Sequence, residues 1–112
     1  MISVIVITKN ESKNIGACLD SVRWSDDIVV VDAQSTDDTA ALARTRTTKV
    51  FVRPWEGFSA AKSFALLQTS HRWVLWVDAD ERVTPQLAEE IGRLPLESTN
   101  YAAFTVARRA FF

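Results

Sequence analysis

Residues 73–77 are apolar throughout, and the aspartates Asp78 and Asp80 follow this segment almost directly. A continuous apolar run of this length is typical of a strand buried on both faces, as in a parallel sheet. In open α/β sheets, ligands bind outside the carboxyl ends of the strands, where both carboxylates would lie. Carboxylate oxygens suit a hard divalent cation that is shared with substrate phosphates. The segment therefore predicts a metal and phosphate site at a strand end.

Strand-like and helix-like segments alternate along the chain. The predicted strands are residues 2–7, 28–31 and 50–52, a fourth ending at Asp78, and a fifth at residues 101–106. The predicted helices are residues 12–22, about 35–46 and 58–68, and a fourth starting at residues 84 and 85. This alternation predicts an α/β fold, with a mostly parallel sheet and helices on both faces.

Residues that favour helix starts support two of these boundaries. Ser35 is a candidate N-cap, and Asp38 three residues later would interact favourably with the helix dipole. Thr84 is a candidate N-cap before Pro85, which suits the first helical position. The second and fourth helices should therefore begin at these residues.

The composition limits the classes of protein to which the chain can belong. Its 112 residues fit one domain, and an apolar content of 47% can form a core. A formal net charge of −1 argues against nucleic-acid binding, and no apolar run could span a bilayer. The one cysteine, Cys18, lies on an apolar helix face and is predicted to be a buried filler. The one histidine, His71, is predicted to be a loop residue, because no triad partner is evident.

The usual glycine-rich phosphate motifs are missing. The chain has three glycines and contains neither the dinucleotide fingerprint nor a P-loop. A phosphate would therefore be held by a metal and side chains. Asp32 ends the second strand as Asp78 ends the fourth, so both should face the same crevice, although Asp32 could also cap a turn. From the residues alone, Lys62 is predicted to be a surface charge on the third helix, and Asp26 and Asp27 are predicted to lie in a solvated loop.

Four stretches of the chain together resemble an inverting family 2 glycosyltransferase of the GT-A fold. They are the opening strand VIVITKNE at residues 4–11, IVVVDAQSTDDT at 28–39, WEGFSAAK at 55–62 and DADER at 78–82. The last is similar to the family's DxD motif, and the last two look most like lipopolysaccharide-core sugar transferases. The ordered set is specific and covers almost the whole chain. Ser63 and the pair Ala33-Gln34 depart from the usual pattern, which has asparagine at the first position and often glycine at the last.

The resemblance implies a nucleotide-diphospho-sugar donor and a Mg²⁺ or Mn²⁺ ion. Thr8, Asn10 and Glu11 would line the nucleoside pocket. Asp32 would bind the base, and Lys62 would face the donor. Asp78 would lie near the ribose and the metal, and Asp80 would bind the metal directly. The expected location is the cytoplasm, with peripheral attachment to the inner membrane face as an option.

In this family the general base follows the DxD motif at a distance, and no acid in the chain is nominated for that role. Residues 1–112 are therefore expected to be one nucleotide-sugar-binding domain truncated at its carboxyl end, without the half that binds a saccharide or lipid-linked saccharide acceptor. The apolar end at Phe111 and Phe112 could support self-association. A non-catalytic nucleotide-binding or interaction module is the main alternative. A nucleotidyltransferase is disfavoured, because residues 8–11 do not form a glycine-rich basic loop.

Overall fold

The computed structural model describes residues 1–96 of the chain. Its strands are β1 (Ile2–Thr8), β2 (Ile28–Asp32), β3 (Lys49–Val52) and β4 (Trp73–Trp76). Its helices are α1 (Ile15–Asp20), α2 (Thr39–Arg44), α3 (Phe58–Leu67) and α4 (Pro85–Gly92). The strands form one sheet in the order β3-β2-β1-β4, and every pair is parallel. The predicted fifth strand and the apolar end at Phe111 and Phe112 lie outside the described residues.

Apolar side chains cover both faces of this sheet. On one face, alternate residues of β1 such as Val4 and Val6 pack with α1, α2 and α4. On the other face, Ile5 and its β2 neighbours Val29 and Val31 pack against α3. The alternation follows from the two-residue side-chain period of a strand. The predicted α/β fold with helices on both faces is therefore confirmed.

Several predicted boundaries were too wide. The first helix is α1, shorter than the predicted residues 12–22, and the strand β4 ends at Trp76 rather than Asp78. The N-cap prediction for Ser35 was wrong, because Asp38 occupies the cap position of α2. The Ser35 hydroxyl instead donates to the Asp32 carboxylate at 2.5 Å. Local hydrogen bonding to a nearby carboxylate is an alternative to capping for a serine in a loop.

The predicted cap of α4 is confirmed. The Thr84 hydroxyl accepts a hydrogen bond from the Leu87 backbone N–H at 3.1 Å, and Pro85 is the first helical residue. We expect Thr84→Ala to lower the free energy of unfolding by about 1 kcal/mol, because one amide of the first turn loses its partner. Urea unfolding would measure this change. Thr84→Ser keeps the hydroxyl and should stay near wild type, and an equal loss in both variants would contradict the capping role.

The amino-terminal edge of the sheet contains a buried carboxylate. Asp27 is only 5% exposed, whereas Asp26 is exposed as predicted. The Asp27 carboxylate accepts from Lys49 Nζ at 2.5 Å, from the Ser3 hydroxyl at 2.6 Å and from the Ser70 N–H at 2.7 Å. The predicted solvated position of Asp27 was therefore wrong. This residue joins the start of β2 to β1, to β3 and to the segment before β4.

Candidate functional site

Polar residues collect at the carboxyl edge of the sheet. Thr8 and Asp32 are the last residues of β1 and β2, and they are register partners. The Val77 N–H donates to the Ile5 carbonyl at 3.0 Å, so the ladder between β1 and the β4 segment continues one residue past the strand. Asp78 comes next. The structure thus brings Thr8, Asp32 and Asp78 to the same edge, which the sequence predicted for Asp32 and Asp78.

Residues 77–83 form an acidic loop between β4 and α4. Val77 and Ala79 are buried in the core, whereas Asp78 and Asp80 are exposed. The Asp78 N–H donates to Glu81 Oε1 at 2.8 Å, and the Glu81 N–H donates to the Asp78 carbonyl at 2.9 Å. This reciprocal pair closes a turn around Asp80. The loop therefore directs alternate residues to the core and to the solvent.

The two exposed aspartates of the acidic loop are chemically suited to a divalent cation. Within residues 1–96, neither carboxylate forms an ion pair with lysine or arginine. No group of three or more potential metal-ligating side chains gathers in this part of the chain. Asp78 and Asp80 could thus supply only part of a coordination shell. This fits a cation such as Mg²⁺, which is usually held by one or two carboxylates together with substrate phosphates and water.

Asp32 lies deeper in the crevice than the acidic loop. It is 1% exposed, and its two oxygens accept from Ser35, Oδ2 from the backbone N–H at 2.9 Å and Oδ1 from the hydroxyl at 2.5 Å. A carboxylate has about four acceptor positions, so capacity for a further donor remains. The carboxylate thus caps the turn that follows β2, which is the alternative that the sequence left open for Asp32. The sequence did not predict the second contact, from the Ser35 hydroxyl.

Asn10 links the loop after β1 to the loop after β2. Its N–H donates to the Ser35 hydroxyl at 2.7 Å, and its Oδ1 accepts from the Thr36 N–H at 2.8 Å. Asn10 and Gln34 have φ values of 52° and 55°, in the left-handed region that most side chains avoid. Gln34 is the position at which the family pattern often has glycine. The side chain of Asn10 therefore has an intramolecular partner that the sequence did not reveal.

Glu11 extends the same connection between the two loops. Its N–H donates to the Thr39 hydroxyl at 2.9 Å, and its Oε2 accepts from Asn14 Nδ2 at 2.9 Å. The Thr39 hydroxyl also donates to Asp37, and this bond, together with weaker hydrogen bonds from the Thr39 and Ser12 backbone, lowers the pKa of Asp37 to about 2. Glu11 is partly buried at the rim of the site rather than at its centre.

Thr8 has a hydroxyl for which the fold supplies no partner. The residue is 4% exposed, and within the described part of the chain its Oγ1 makes no hydrogen bond. Buried hydroxyls are usually hydrogen-bonded, and an exception calls for a specific explanation such as a missing water or ligand. The position of Thr8 at the end of β1, beside Asp32, is consistent with a ligand group as that partner.

Lys62 approaches the same edge from α3. Its ammonium lies 5.0 Å from the centroid of the Trp76 ring, within cation–π range, although the lysine itself is exposed. Trp76 is the last residue of β4, and it also packs against Phe58 with ring centroids 6.3 Å apart. The contact places the positive charge of Lys62 near the strand that leads to Asp78. The sequence did not predict this aromatic support.

Cys18 lies beneath the acidic loop. The thiol is fully buried and donates to the Asp78 carbonyl at 3.4 Å. Burial raises the pKa of the Cys18 thiol to about 12, and the nearby carboxylates of Glu81, Asp80 and Asp78 add to the increase. The thiol therefore stays protonated at neutral pH and is not a nucleophile. This confirms the prediction of a buried packing residue.

No helix within residues 1–96 combines the length and the apolar character needed to cross a bilayer.

Two curated relatives illustrate the similarity of the chain to known proteins. It is 36% identical over 115 residues to the lipopolysaccharide core biosynthesis glycosyltransferase LpsC of Rhizobium meliloti, covering 98% of this chain and 43% of LpsC. It is 44% identical over 91 residues to an uncharacterized glycosyltransferase of Rickettsia conorii, covering 80% of this chain and 32% of the relative. The chain thus spans less than half the length of these relatives.

Solved structures share the fold. The S. aureus TarS structure with UDP-GlcNAc has a TM-score of 0.67 and 29% identity, with coverage of 81% of this chain and 30% of that one. Glucosyl-3-phosphoglycerate synthase from Mycobacterium tuberculosis, in complex with Mn²⁺, UDP and glucosyl-3-phosphoglycerate, has a TM-score of 0.64 and 29% identity, with coverage of 72% and 34%. These neighbours confirm the expected GT-A fold. The family model for glycosyl transferase family 2 matches residues 3–112, and the chain therefore belongs to that family.

Proposed function

We propose that this chain binds a nucleotide-diphospho-sugar together with Mg²⁺ or Mn²⁺, for metal-dependent, inverting transfer of the sugar to an acceptor hydroxyl by the whole protein. The supporting observation is the convergence of Thr8, Asp32 and the acidic loop at one edge of the sheet. The structural neighbours with UDP-GlcNAc and with UDP and Mn²⁺ support this donor class.

The proposed roles follow from the position of each side chain. Asp80 is exposed at the tip of the turn and would ligate the cation directly, and Asp78 would lie near the ribose and the metal. When bound, the cation stabilises negative charge on the departing diphosphate as a Lewis acid. Asp32 would accept a hydrogen bond from the base, and the Thr8 hydroxyl would gain the partner that the fold does not give it.

The remaining donor-binding residues would supply a positive charge and part of the wall of the nucleoside pocket. Lys62 would place a positive charge beside the diphosphate, held in place by the Trp76 ring. Asn10 and Glu11 would form the wall of the nucleoside pocket, because their hydrogen bonds join the two loops that flank it. None of these three residues lies in a strand, and each role can be tested by substitution.

The proposal assigns the acceptor and the general base to the whole protein. Four acids follow Asp80. Glu81 accepts from Asp78, Glu89 pairs with Arg93, Glu90 is exposed on α4, and Glu97 lies outside the described residues. None of these is proposed as the base. Residues 1–112 are proposed to be one donor-binding domain, and the similarity to LpsC supports a saccharide or lipid-linked saccharide as acceptor. The proposed location is the cytoplasm, in keeping with the free buried cysteine, with peripheral attachment at the inner membrane face for a lipid-linked acceptor.

Calorimetric titration tests the proposal. We expect UDP to bind the 112-residue chain at least about tenfold more tightly in the presence of Mn²⁺ than in EDTA, because the cation would bridge the acidic loop and the diphosphate. Uridine, which has no phosphate, should show no dependence on Mn²⁺. The proposal fails if neither UDP nor another nucleoside diphosphate binds in a metal-dependent manner. Metal-dependent binding by a whole protein that transfers no sugar would favour the non-catalytic alternative.

A further inference from the structure

We propose that Ser21 and Cys18 are positioning residues, which hold the acidic loop in the conformation that presents Asp78 and Asp80 to a cation. The inference rests on the proposed function and adds to it two residues that touch neither the cation nor the donor. Cys18 lies in α1, and Ser21 is the residue at its carboxyl-terminal cap. Three positions along a helix bring both to one side, facing the acidic loop.

Ser21 fixes the far end of the acidic loop. Its hydroxyl donates to the Cys18 carbonyl at 2.6 Å and accepts from the Val83 N–H at 2.9 Å. Both contacts are with backbone groups, so the hydroxyl connects the end of α1 directly to the chain just before Thr84. Val83 is itself buried in the core. Without the hydroxyl, the Val83 amide would lose its partner in a place with little access to water, which is costly.

Cys18 supports the near end of the acidic loop. Its thiol donates to the Asp78 carbonyl, and its side chain belongs to the same buried cluster as Val77, Ala79 and Val83. The carbonyl of Asp78 also accepts from the Glu81 N–H, and so the thiol contact supports the turn that carries Asp80. The two contacts with α1 therefore lie at the two ends of the segment that carries Asp78 and Asp80.

The acidic loop depends on these contacts because regular structure does not hold it. Residues 77–83 belong to no helix or strand. Backbone polar groups in such a segment must find partners individually, and side chains then determine the conformation. Groups that orient a metal ligand without touching the metal typically change its affinity by about 10- to 100-fold when they are removed.

The test compares metal affinity in matched serine variants of the 112-residue chain. We expect Ser21→Ala to weaken the apparent Mn²⁺ affinity, measured through UDP binding, by about tenfold, and to leave UDP binding in EDTA unchanged. Ser21→Thr retains a hydroxyl and should recover most of the affinity. Ser25→Ala is the control, because the Ser25 hydroxyl also bonds to backbone groups, at 2.8 Å to Ile2, but at the opposite edge of the sheet. Ser25→Ala should lower the free energy of unfolding about as much as Ser21→Ala does, without changing the Mn²⁺ affinity.

The outcomes separate this inference from the proposed function. If the wild-type chain shows no metal-dependent nucleotide binding, the proposed function fails and the positioning role fails with it. If the wild-type chain binds and Ser21→Ala matches Ser25→Ala in Mn²⁺ affinity, only the positioning role is overturned. Should Ser21→Ala not fold, Cys18→Ala replaces it, with the same expected weakening and the same overturning result.

Discussion

Asp80→Ala is expected to abolish the Mn²⁺-dependent part of nucleotide binding, a loss of at least about a hundredfold in apparent metal affinity. Removal of a residue that merely orients a ligand already costs 10- to 100-fold, and Asp80 is proposed to be a ligand itself. Because the side chain is exposed, the free energy of unfolding should change by less than about 0.5 kcal/mol. Calorimetry with UDP in Mn²⁺ and in EDTA measures the first effect, and urea unfolding measures the second.

Glu90→Ala is the matched control for Asp80→Ala. Glu90 is an exposed acid on α4, so its removal changes the net charge equally without touching the acidic loop. Its variant should bind UDP and Mn²⁺ as the wild-type chain does. Unaltered metal-dependent binding in Asp80→Ala would show that the cation, if bound, is held elsewhere. An equal loss in both variants would indicate a general effect of charge rather than ligation.

Asp27→Ala is expected to destabilise the chain by about 3 kcal/mol, the low end of the range for breaking a buried ion pair. The variant leaves the buried Ser3 hydroxyl and the Ser70 N–H without their carboxylate partner. Lys49 is 34% exposed and can be partly hydrated, which keeps the loss from being larger. Urea unfolding at neutral pH measures the change.

The neighbouring residue provides the control for Asp27→Ala. Asp26 pairs with His71 at 2.8 Å, but its carboxylate is 59% exposed, and exposed pairs contribute little. Asp26→Ala should therefore change the free energy of unfolding by less than about 1 kcal/mol. Comparable losses of unfolding free energy in the two variants would contradict the expectation that the buried Asp27 contributes more to stability than the exposed Asp26.

The effect of Asp27 should also depend on pH. Burial alone would raise the pKa of its carboxyl, but the hydrogen bonds from Lys49 and Ser3 outweigh burial and bring the pKa below its ordinary value of 3.8. A lowered folded-state pKa gives a stability contribution that is complete above the unfolded-state value and is lost as the pH falls through the folded-state value. The difference between wild type and Asp27→Ala should therefore shrink below about pH 4. A constant difference from pH 6 to pH 3 would contradict this linkage.

Apolar runs predicted the four strands of residues 1–96, because a strand buried on both faces reads as a continuous apolar run. The predicted full burial holds for β2, whereas β4 lies at the edge of the described sheet and is only partly buried. Helix boundaries were harder to predict, since they depend on contacts between segments. Ser35 has the residue type of an N-cap, but its hydroxyl bonds to Asp32, three residues earlier. Asp26 and Asp27 are the same residue type at adjacent positions, and their roles differ because groups distant in the chain bond to Asp27, namely Lys49, Ser3 and Ser70.

The edge that bears the candidate site was predictable, since Asp32, Asp78 and Asp80 follow strand-like runs and parallel strands end together. The supporting contacts were not. The position of Trp76 under Lys62 arises from packing between the consecutive elements α3 and β4. The contact of Ser21 with the acidic loop joins residues that are far apart in the chain. No local pattern distinguishes Ser21 from the other serines of the chain.

The Ser35 hydroxyl has two partners in different walls of the crevice, the Asn10 amide and the Asp32 carboxylate. One small group therefore couples the loop after β1 to the loop after β2, and neither wall can shift alone without breaking a short hydrogen bond. A pocket braced in this way is ordered during folding, so an incoming ligand spends less of its binding free energy on immobilising it. In this sense the loops at the Asp32 end of the crevice are already ordered before the proposed donor binds.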